Sequence, residues 1–396
     1  MNRADVLVVG GGMAGVSVAA ALSSRARVTL IEREPQLAHH TTGRSAAAFI
    51  ESYGSPEIRA LTRASRAELE AEIEGEPALL APRGQLWVGA VDRPDHVGLL
   101  DSFCAAVPAL ERLDAGATIE LCPALDPEVV SGGAYEASAR DIDVLALLDR
   151  FARRARASGA QIRTDVGFVS AVRDSDGWEV ESTAGRLRAG VVVNAAGAWG
   201  DEVAAAFGAQ AAPLAALRRT IAIARPGAMP IDPHWPLVVG VDEDVYFKPE
   251  GPNLLLSPAD ETPSDPCDAR PDEVDVALAL HRANHLTRLG LRSVLRTWAG
   301  LRTFGPDHNP VVGFDPEVEG LFWLAGQGGY GIQTAPAMAR LAAALLVGEP
   351  APPDITAEGL DPAALAPGRA ARAERGNAAS AGGASPQGER GAQRPP

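Results

Sequence analysis

Asp5-Val6-Leu7-Val8-Val9-Gly10-Gly11-Gly12-Met13-Ala14-Gly15 decides how the rest of the chain is read. Val6 to Val9 are apolar and mostly β-branched, the pattern of a strand buried on both faces of a parallel sheet. Gly10, Gly12 and Gly15 then form G-x-G-x-x-G where that strand turns into a helix. Gly10 permits the tight turn, Gly12 lets backbone N–H groups approach a pyrophosphate, and Gly15 lets the helix pack closely on the strand. The helix N-terminus so placed turns its partial positive charge toward the phosphates. Val16 and Val18 to Leu22 continue as an apolar, proline-free helix. A second strand, Val28 to Ile31, ends at Glu32, 22 positions beyond Gly10, where a carboxylate can accept hydrogen bonds from ribose hydroxyls. The stretch predicts a dinucleotide-binding βαβ unit and leaves open whether the dinucleotide is FAD or NAD.

The 396 residues suffice for two domains or one large α/β body, and 46% hydrophobic with 22% charged residues reads as globular. A net charge of −15, without a basic stripe, argues against a nucleic-acid partner. Arginine supplies nearly all the positive charge, and Lys248 is the only lysine. Cys104, Cys122 and Cys267 are too scattered for a metal pattern or a disulfide framework, which favours a reducing compartment. With no signal peptide and no run of membrane-spanning length, the expected location is cytoplasmic, a peripheral contact with the inner face of the membrane being left open. His39-His40 invites a metal, but no third ligand with sensible spacing follows, and no metal site is expected.

Down the chain, Pro56 to Glu74 reads as an amphipathic helix with Ile58, Leu61, Leu69 and Ile73 on one side. Gln85 to Ala90 reads as a strand. Asp143 caps a helix carrying Val144, Leu147, Leu148 and Phe151, and Gly159 ends it. After three short strands, Val191 to Trp199 is another buried strand running into a glycine turn, which returns the chain to the dinucleotide fold. Strands with proline-rich connections dominate Pro213 to Trp298, with one helix over Asp272 to Leu289. The expected class is α/β: a Rossmann-like, mostly parallel cofactor sheet with an inserted α+β substrate domain on an antiparallel sheet. Residues 1–50, 141–212 and 299–350 would form the discontinuous cofactor domain, and 51–140 with 213–298 the substrate domain. Residues 367–396, rich in Ala, Gly, Ser, Pro, Gln and Arg, read as a disordered tail.

A second glycine-rich turn distinguishes the cofactors. Leu321 to Gly326 reads as a parallel strand opening into Gln327-Gly328-Gly329-Tyr330-Gly331-Ile332-Gln333-Thr334 and an alanine-rich helix. A helix N-terminus there can stabilise the negative charge that builds at the N1/C2 carbonyl edge of a reduced flavin. NAD domains need no such late element, so FAD is expected.

The ordered set G-G-G-M-A-G, E-R, T-T-G-R-S-A-A, V-N-A-A-G-A-W, W-A-G-L-R-T-F and G-Q-G-G-Y-G-I-Q-T resembles the D-amino-acid oxidase/glycine oxidase superfamily of FAD enzymes, over roughly residues 1–365. Within it the chain most resembles the D-arginine dehydrogenase type. The resemblance implies non-covalent FAD, with Glu32 and Arg33 at the adenosine end and Thr42, Arg44, Ser45, Ala46 and Ala47 along the cofactor, the last three beside the isoalloxazine. It implies Val169 against the adenine through its backbone and Ala196 and Gly197 near the phosphates. Gly329, Tyr330, Gly331, Ile332, Gln333 and Thr334 would lie near the pyrimidine edge.

An amino-acid substrate needs its carboxylate fixed so that the Cα hydrogen faces flavin N5, and arginine does this best. Arg302, just before the last glycine turn, and Arg219 are the candidates; Arg218 alternates to the other face of its strand. Tyr53 and Tyr246 can add hydroxyl contacts, and the resemblance implies all four around the substrate. Enzymes of this type acting on basic D-amino acids carry an acid where this chain has Gln85 and a histidine where it has Ala48. The loss of a counter-charge, worth ~1.5–3 kcal/mol for a charge-assisted contact, predicts a preference for neutral side chains. The expected reaction is oxidative deamination of a D-amino acid to a 2-keto acid and ammonia, with a quinone or O₂ as electron acceptor. Glycine or sarcosine oxidation, dehydrogenation of a 2-hydroxy acid, and a non-catalytic FAD-binding protein stay open as alternatives.

Overall fold

The strand Arg3–Val9 lies in the middle of an eight-stranded sheet, between Val28–Ile31 and Gly185–Asn194, both parallel to it. Gln161–Arg163 extends the parallel set beyond Val28–Ile31. Gly185–Asn194 is shared along its length: its first half pairs antiparallel with Gly177–Ser182, and its last residues pair parallel with Leu321–Ala325. Segments from the start, middle and end of the chain therefore meet in one sheet. On one face Met13–Leu22 packs against Val144–Ala157 and Ala335–Leu346, burying Val16, Leu22, Leu148, Phe151, Met338 and Leu341 in one cluster. The other face is covered by Gly200–Ala206, with Trp178, Phe207 and Trp323 beneath it. This computed structural model describes residues 3–210 and 212–369. Residues 370–396, most of the expected disordered tail, lie outside the described residues.

Local chemistry sets the helix ends. The Asp143 carboxylate accepts from the Ala146 amide at 2.9 Å, Arg154 and Arg156 stand in the last turn, and Gly159 leaves at φ +92°. Ser55 accepts from the Ile58 amide at 3.2 Å and Pro56 takes the first helical position. That helix ends at Glu70, not at Glu74, and Ile73 is left 45% exposed. The physical reason is electrostatic: Glu70, Glu72 and Glu74 crowd the negative end of the helix, with no basic residue in the last turn.

The second sheet has nine strands. Ala215–Arg225 and Ser293–Phe304 pair antiparallel along almost their whole length. Asn253–Ser257, Tyr246–Glu250 and Leu237–Gly240 follow, also antiparallel. The expected antiparallel order breaks once: Leu237–Gly240 pairs parallel with Gln85–Ala90, placing Gln85 opposite Leu237 and Trp87 opposite Val239. The chain joining those two strands is long, so no hairpin imposes an antiparallel register. Val130–Glu136, whose Gly132 and Gly133 erase the strand pattern, adds to the far edge of Gln85–Ala90. Leu86 and Val88 enter the core with Phe247, Leu254 and Leu256, which turns Gln85 and Trp87 to the opposite face.

Candidate active site

Both sheets open onto one cavity of about 510 Å³ that runs from Gly10, Glu32 and Arg33 to Tyr53, Gln85, Arg219, Tyr246 and Arg302. At its first end, Gly10 turns at φ +113°, and a Cβ there would lie 2.4 Å from the Ala195 carbonyl oxygen. A Cβ on Gly15 would lie 1.9 Å from the Gly10 carbonyl oxygen, so helix and turn touch backbone to backbone. Gly12 caps the helix with no side-chain bond, the first turn holds no acid, and a Cβ on it would meet only Thr42 Oγ1 at 3.3 Å. The helix end is thus open toward the cavity and suited to an anion. Thr42 Oγ1 accepts from the Met13 amide at 3.1 Å.

Glu32 stands at the predicted place, its two oxygens accepting from the Gly11 amide at 2.6 Å and the Glu34 amide at 2.9 Å. Arg33 lies over the Trp199 ring at 4.1 Å. Ser45, Ala46, Ala47, Val169, Ala196, Gly197, Gly329, Gly331, Ile332 and Gln333 all line the cavity. Arg44 lines it too, but its guanidinium turns away to the Ala269 and Ala299 carbonyls and to Asp268. Tyr330 and Thr334 fall behind the lining: Tyr330 packs on Tyr53 with ring centroids 4.8 Å apart, and the Thr334 hydroxyl donates to the Tyr330 carbonyl. The Gln333 amide is used to hold Ile50, accepting from its N–H and donating to its carbonyl.

His40, Gln85, Trp87 and Gln327 line this cavity, and each has a buried polar atom with no hydrogen-bond partner among the described residues. Buried orphan groups are rare in native proteins. Together with the uncapped helix end and the small residues along the wall, His40 and Gln327 fit a large polar cofactor, while Gln85 and Trp87 stand at the other end of the cavity. The histidine pair also gains a third neighbour, from upstream and not downstream. Glu34, His39 and His40 bring ligand atoms within 4.8 Å of one another, and His40 Nε2 lies 2.9 Å from Glu34. Burial holds His40 below the usual histidine range against the pull of Glu34.

At the other end Arg302 and Arg219 arrive from the two long paired strands. Arg302 is buried; its Nη2 donates to the Tyr53 hydroxyl at 2.9 Å and its Nη1 to Glu261 at 3.1 Å. Arg219 donates to the same Glu261 oxygen at 3.0 Å and lies 5.9 Å from the Tyr246 ring. Arg218 points the other way, to Asp275 at 2.8 Å. The Tyr53 segment is fixed by the buried Glu136, which accepts from the Glu51 and Ser52 amides at 2.9 and 3.0 Å. Gln85 and Ala48 line this end with Ile50, Trp87, Leu237 and Val239. Burial pushes the Tyr330 phenol well above its ordinary range.

Glu243, Glu261, Trp87 and Glu136 were missed in the sequence. Glu261 and Glu136 carry no motif. Glu243 had one faint signal, an acid in the Val-Asp-Glu-Asp-Val connection three residues before Tyr246.

A glycine turn open to an anion and a cationic pocket share one cavity, as a dinucleotide-dependent oxidoreductase requires. The FAD-dependent oxidoreductase (DAO) family model matches residues 5–345, and the chain belongs to that family. FAD is its cofactor. Glycine oxidase of Geobacillus kaustophilus is 27% identical over 358 residues, covering 87% of this chain and 93% of that protein. Its crystal structure superposes with a TM-score of 0.76 at 23% identity, covering 88% and 96% of the two chains. L-α-glycerophosphate oxidase of Mycoplasma pneumoniae, solved with FAD bound, reaches 0.76 at 20% identity over 88% and 95%. NikD, an amino acid oxidase of nikkomycin biosynthesis, reaches 0.75 at 23% identity over 93% and 98%. Among the described residues no helix is long and apolar enough to cross a membrane.

Proposed function

We propose that the protein oxidises D-amino acids with neutral side chains to 2-imino acids, which water converts to 2-keto acids and ammonia. In this reading residues 1–50, 141–212 and 299–350 hold the cofactor, and 51–140 with 213–298 form the substrate side. The observation that carries it is the meeting of Arg302, Arg219, Tyr53 and Tyr246 in the cavity that also holds the glycine cradle. Two guanidiniums and two phenols make a seat for a carboxylate, and fixing that group orients Cα. FAD supplies the hydride acceptor. Gln85 and Ala48 put no charge against the substrate side chain, which supports neutral substrates over arginine or lysine.

The similarity to glycine oxidase favours an amine donor, and glycine is then the nearest competing substrate. The electron acceptor is a quinone or O₂. A panel of D-amino acids, their L-enantiomers, glycine, sarcosine and 2-hydroxy acids, each mixed anaerobically with the FAD-loaded protein, tests the proposal through bleaching of the flavin. D-Methionine or D-leucine should reduce it faster than D-arginine. Reduction only by glycine and sarcosine, only by 2-hydroxy acids, or with strong D-arginine preference would contradict it.

A further inference from the structure

Residues 241–245 join the strands Leu237–Gly240 and Tyr246–Glu250 and carry three successive acids, Asp242, Glu243 and Asp244. The outer two are provided for. Asp242 lies 3.4 Å from His96 Nε2 and 3.9 Å from Arg93, and Asp244 lies 3.5 Å from Arg282. Glu243 is different: it takes the left-handed conformation at φ +57° and lines the cavity of Arg219, Arg302 and Tyr53. That backbone geometry costs a residue with a Cβ about 1–2 kcal/mol. Among the described residues Glu243 makes no ion pair and no side-chain hydrogen bond. The two arginines, by contrast, already share the Glu261 oxygen.

Glu243 is exposed along the cavity wall and makes no ion pair or side-chain hydrogen bond among the described residues, so its carboxylate is free to meet a cationic ligand group. The arginine pair beside it shares one Glu261 carboxylate between two positive charges, which leaves room for a second anionic group. A carboxylate and a cation on one small molecule is the pattern of an amino-acid zwitterion, and a 2-hydroxy acid offers nothing to Glu243. We propose that Glu243 receives the substrate ammonium and takes a proton from it before the Cα–H bond breaks. This rests on the amino-acid reading above. The proton passes from –NH₃⁺ to the carboxylate, leaving –NH₂ and –COOH. The neutral amine's lone pair is then free to form the C=N bond, and FAD, when bound, would supply the acceptor for the Cα hydrogen and its electron pair.

Four groups face Glu243 besides its flanking acids: Arg219, Arg302, Glu261 and Tyr330. The surrounding protein raises the Glu243 carboxyl above its usual range, the two arginines act against this, and Glu261 adds to it. A raised carboxyl is a better proton acceptor near neutral pH than an ordinary one.

The test uses FAD-loaded wild type, E243Q and E243D, with flavin content measured first. Anaerobic flavin reduction by a neutral D-amino acid is followed across pH. Separately, the matching 2-keto acid, which lacks the ammonium, is titrated and its binding read from the flavin spectrum. E243Q should slow reduction at neutral pH roughly 100-fold and recover as pH nears the substrate's own ammonium pKa. It should bind the keto acid as tightly as wild type or more so. E243D should keep the reaction with its pH limb displaced, and it carries the test if E243Q does not hold flavin. An unchanged pH profile, equal loss of amino-acid and keto-acid binding, or a loss confined to substrates with cationic side chains would overturn the proposal. If the wild-type flavin binds the keto acid yet stays oxidised with every amino acid, the amino-acid reading itself fails, and this proposal with it.

Discussion

Arg302 is buried, with Tyr53 and Glu261 on its donors and Gly329 beneath its plane, where a Cβ would lie 2.3 Å from Nη2. Such packing suits a flat fork and not a rounded ammonium. Arg302→Lys is therefore expected to lose one charge-assisted bond, ~1.5–3 kcal/mol. That is about 10- to 150-fold in kcat/KM, with flavin content unchanged. Steady-state kinetics beside the visible flavin spectrum checks this, and wild-type kcat/KM in the variant would remove Arg302 from the substrate site. At this scale the sequence was informative wherever a residue type is chemically obligatory. Alternation along one strand separated Arg219 from Arg218, and the structure turns them to opposite faces. Glu261 was illegible, because an acid becomes the partner of two arginines only when three separate segments have been brought together.

Two elements position everything else. The first glycine turn works by backbone contact, and Gly15→Ala places a methyl carbon 1.9 Å from the Gly10 carbonyl oxygen. The helix must move away from the strand, so the variant should purify with little or no FAD; full flavin content would show that this contact is not what shapes the cradle. The Tyr53 segment works by hydrogen bonding to Glu136, itself fully buried on Val130–Glu136. Glu136→Ala leaves two backbone amides without partners, at a cost of about 1–3 kcal/mol each. A lowered Tm and a raised KM with kcat largely retained are the expected signs, while unchanged KM would mean that Tyr53 is held by other contacts. The glycine turn was readable because glycine is required there. Val130–Glu136 was not, because two glycines inside a strand remove the side chains from which a strand is recognised. Pro56–Glu70 was readable at its start, through apolar spacing from Ile58, and overextended at its end, where that spacing continued but charge did not permit a helix.

At the scale of the whole molecule, a chain that leaves and re-enters each sheet is legible through its repeated strand–glycine–helix signals. The parallel seam between Leu237–Gly240 and Gln85–Ala90 is not, since no local pattern reports a pairing between segments so far apart. The cofactor sheet also depends on a surface tie beside its first strand. Arg27 donates side-chain and backbone hydrogen bonds to Asp5, holding that carboxyl at about 2, below its ordinary 3.8. A depressed carboxyl contributes stability above its unfolded pKa and loses it as pH falls through the folded value. Asp5→Asn should thus lower Tm slightly at neutral pH, the small effect expected of an exposed, solvent-screened pair. The difference from wild type should close as pH falls from about 4 toward 2, and a gap that widens in acid would contradict the assignment. The central claim is that one cavity holds FAD and fixes the Cα–H of an amino acid against it. Anaerobic flavin reduction by a neutral D-amino acid deuterated at Cα tests this most directly. The account predicts reduction markedly slower than with the protiated substrate; equal rates, or a bound flavin that stays oxidised with both, would contradict it.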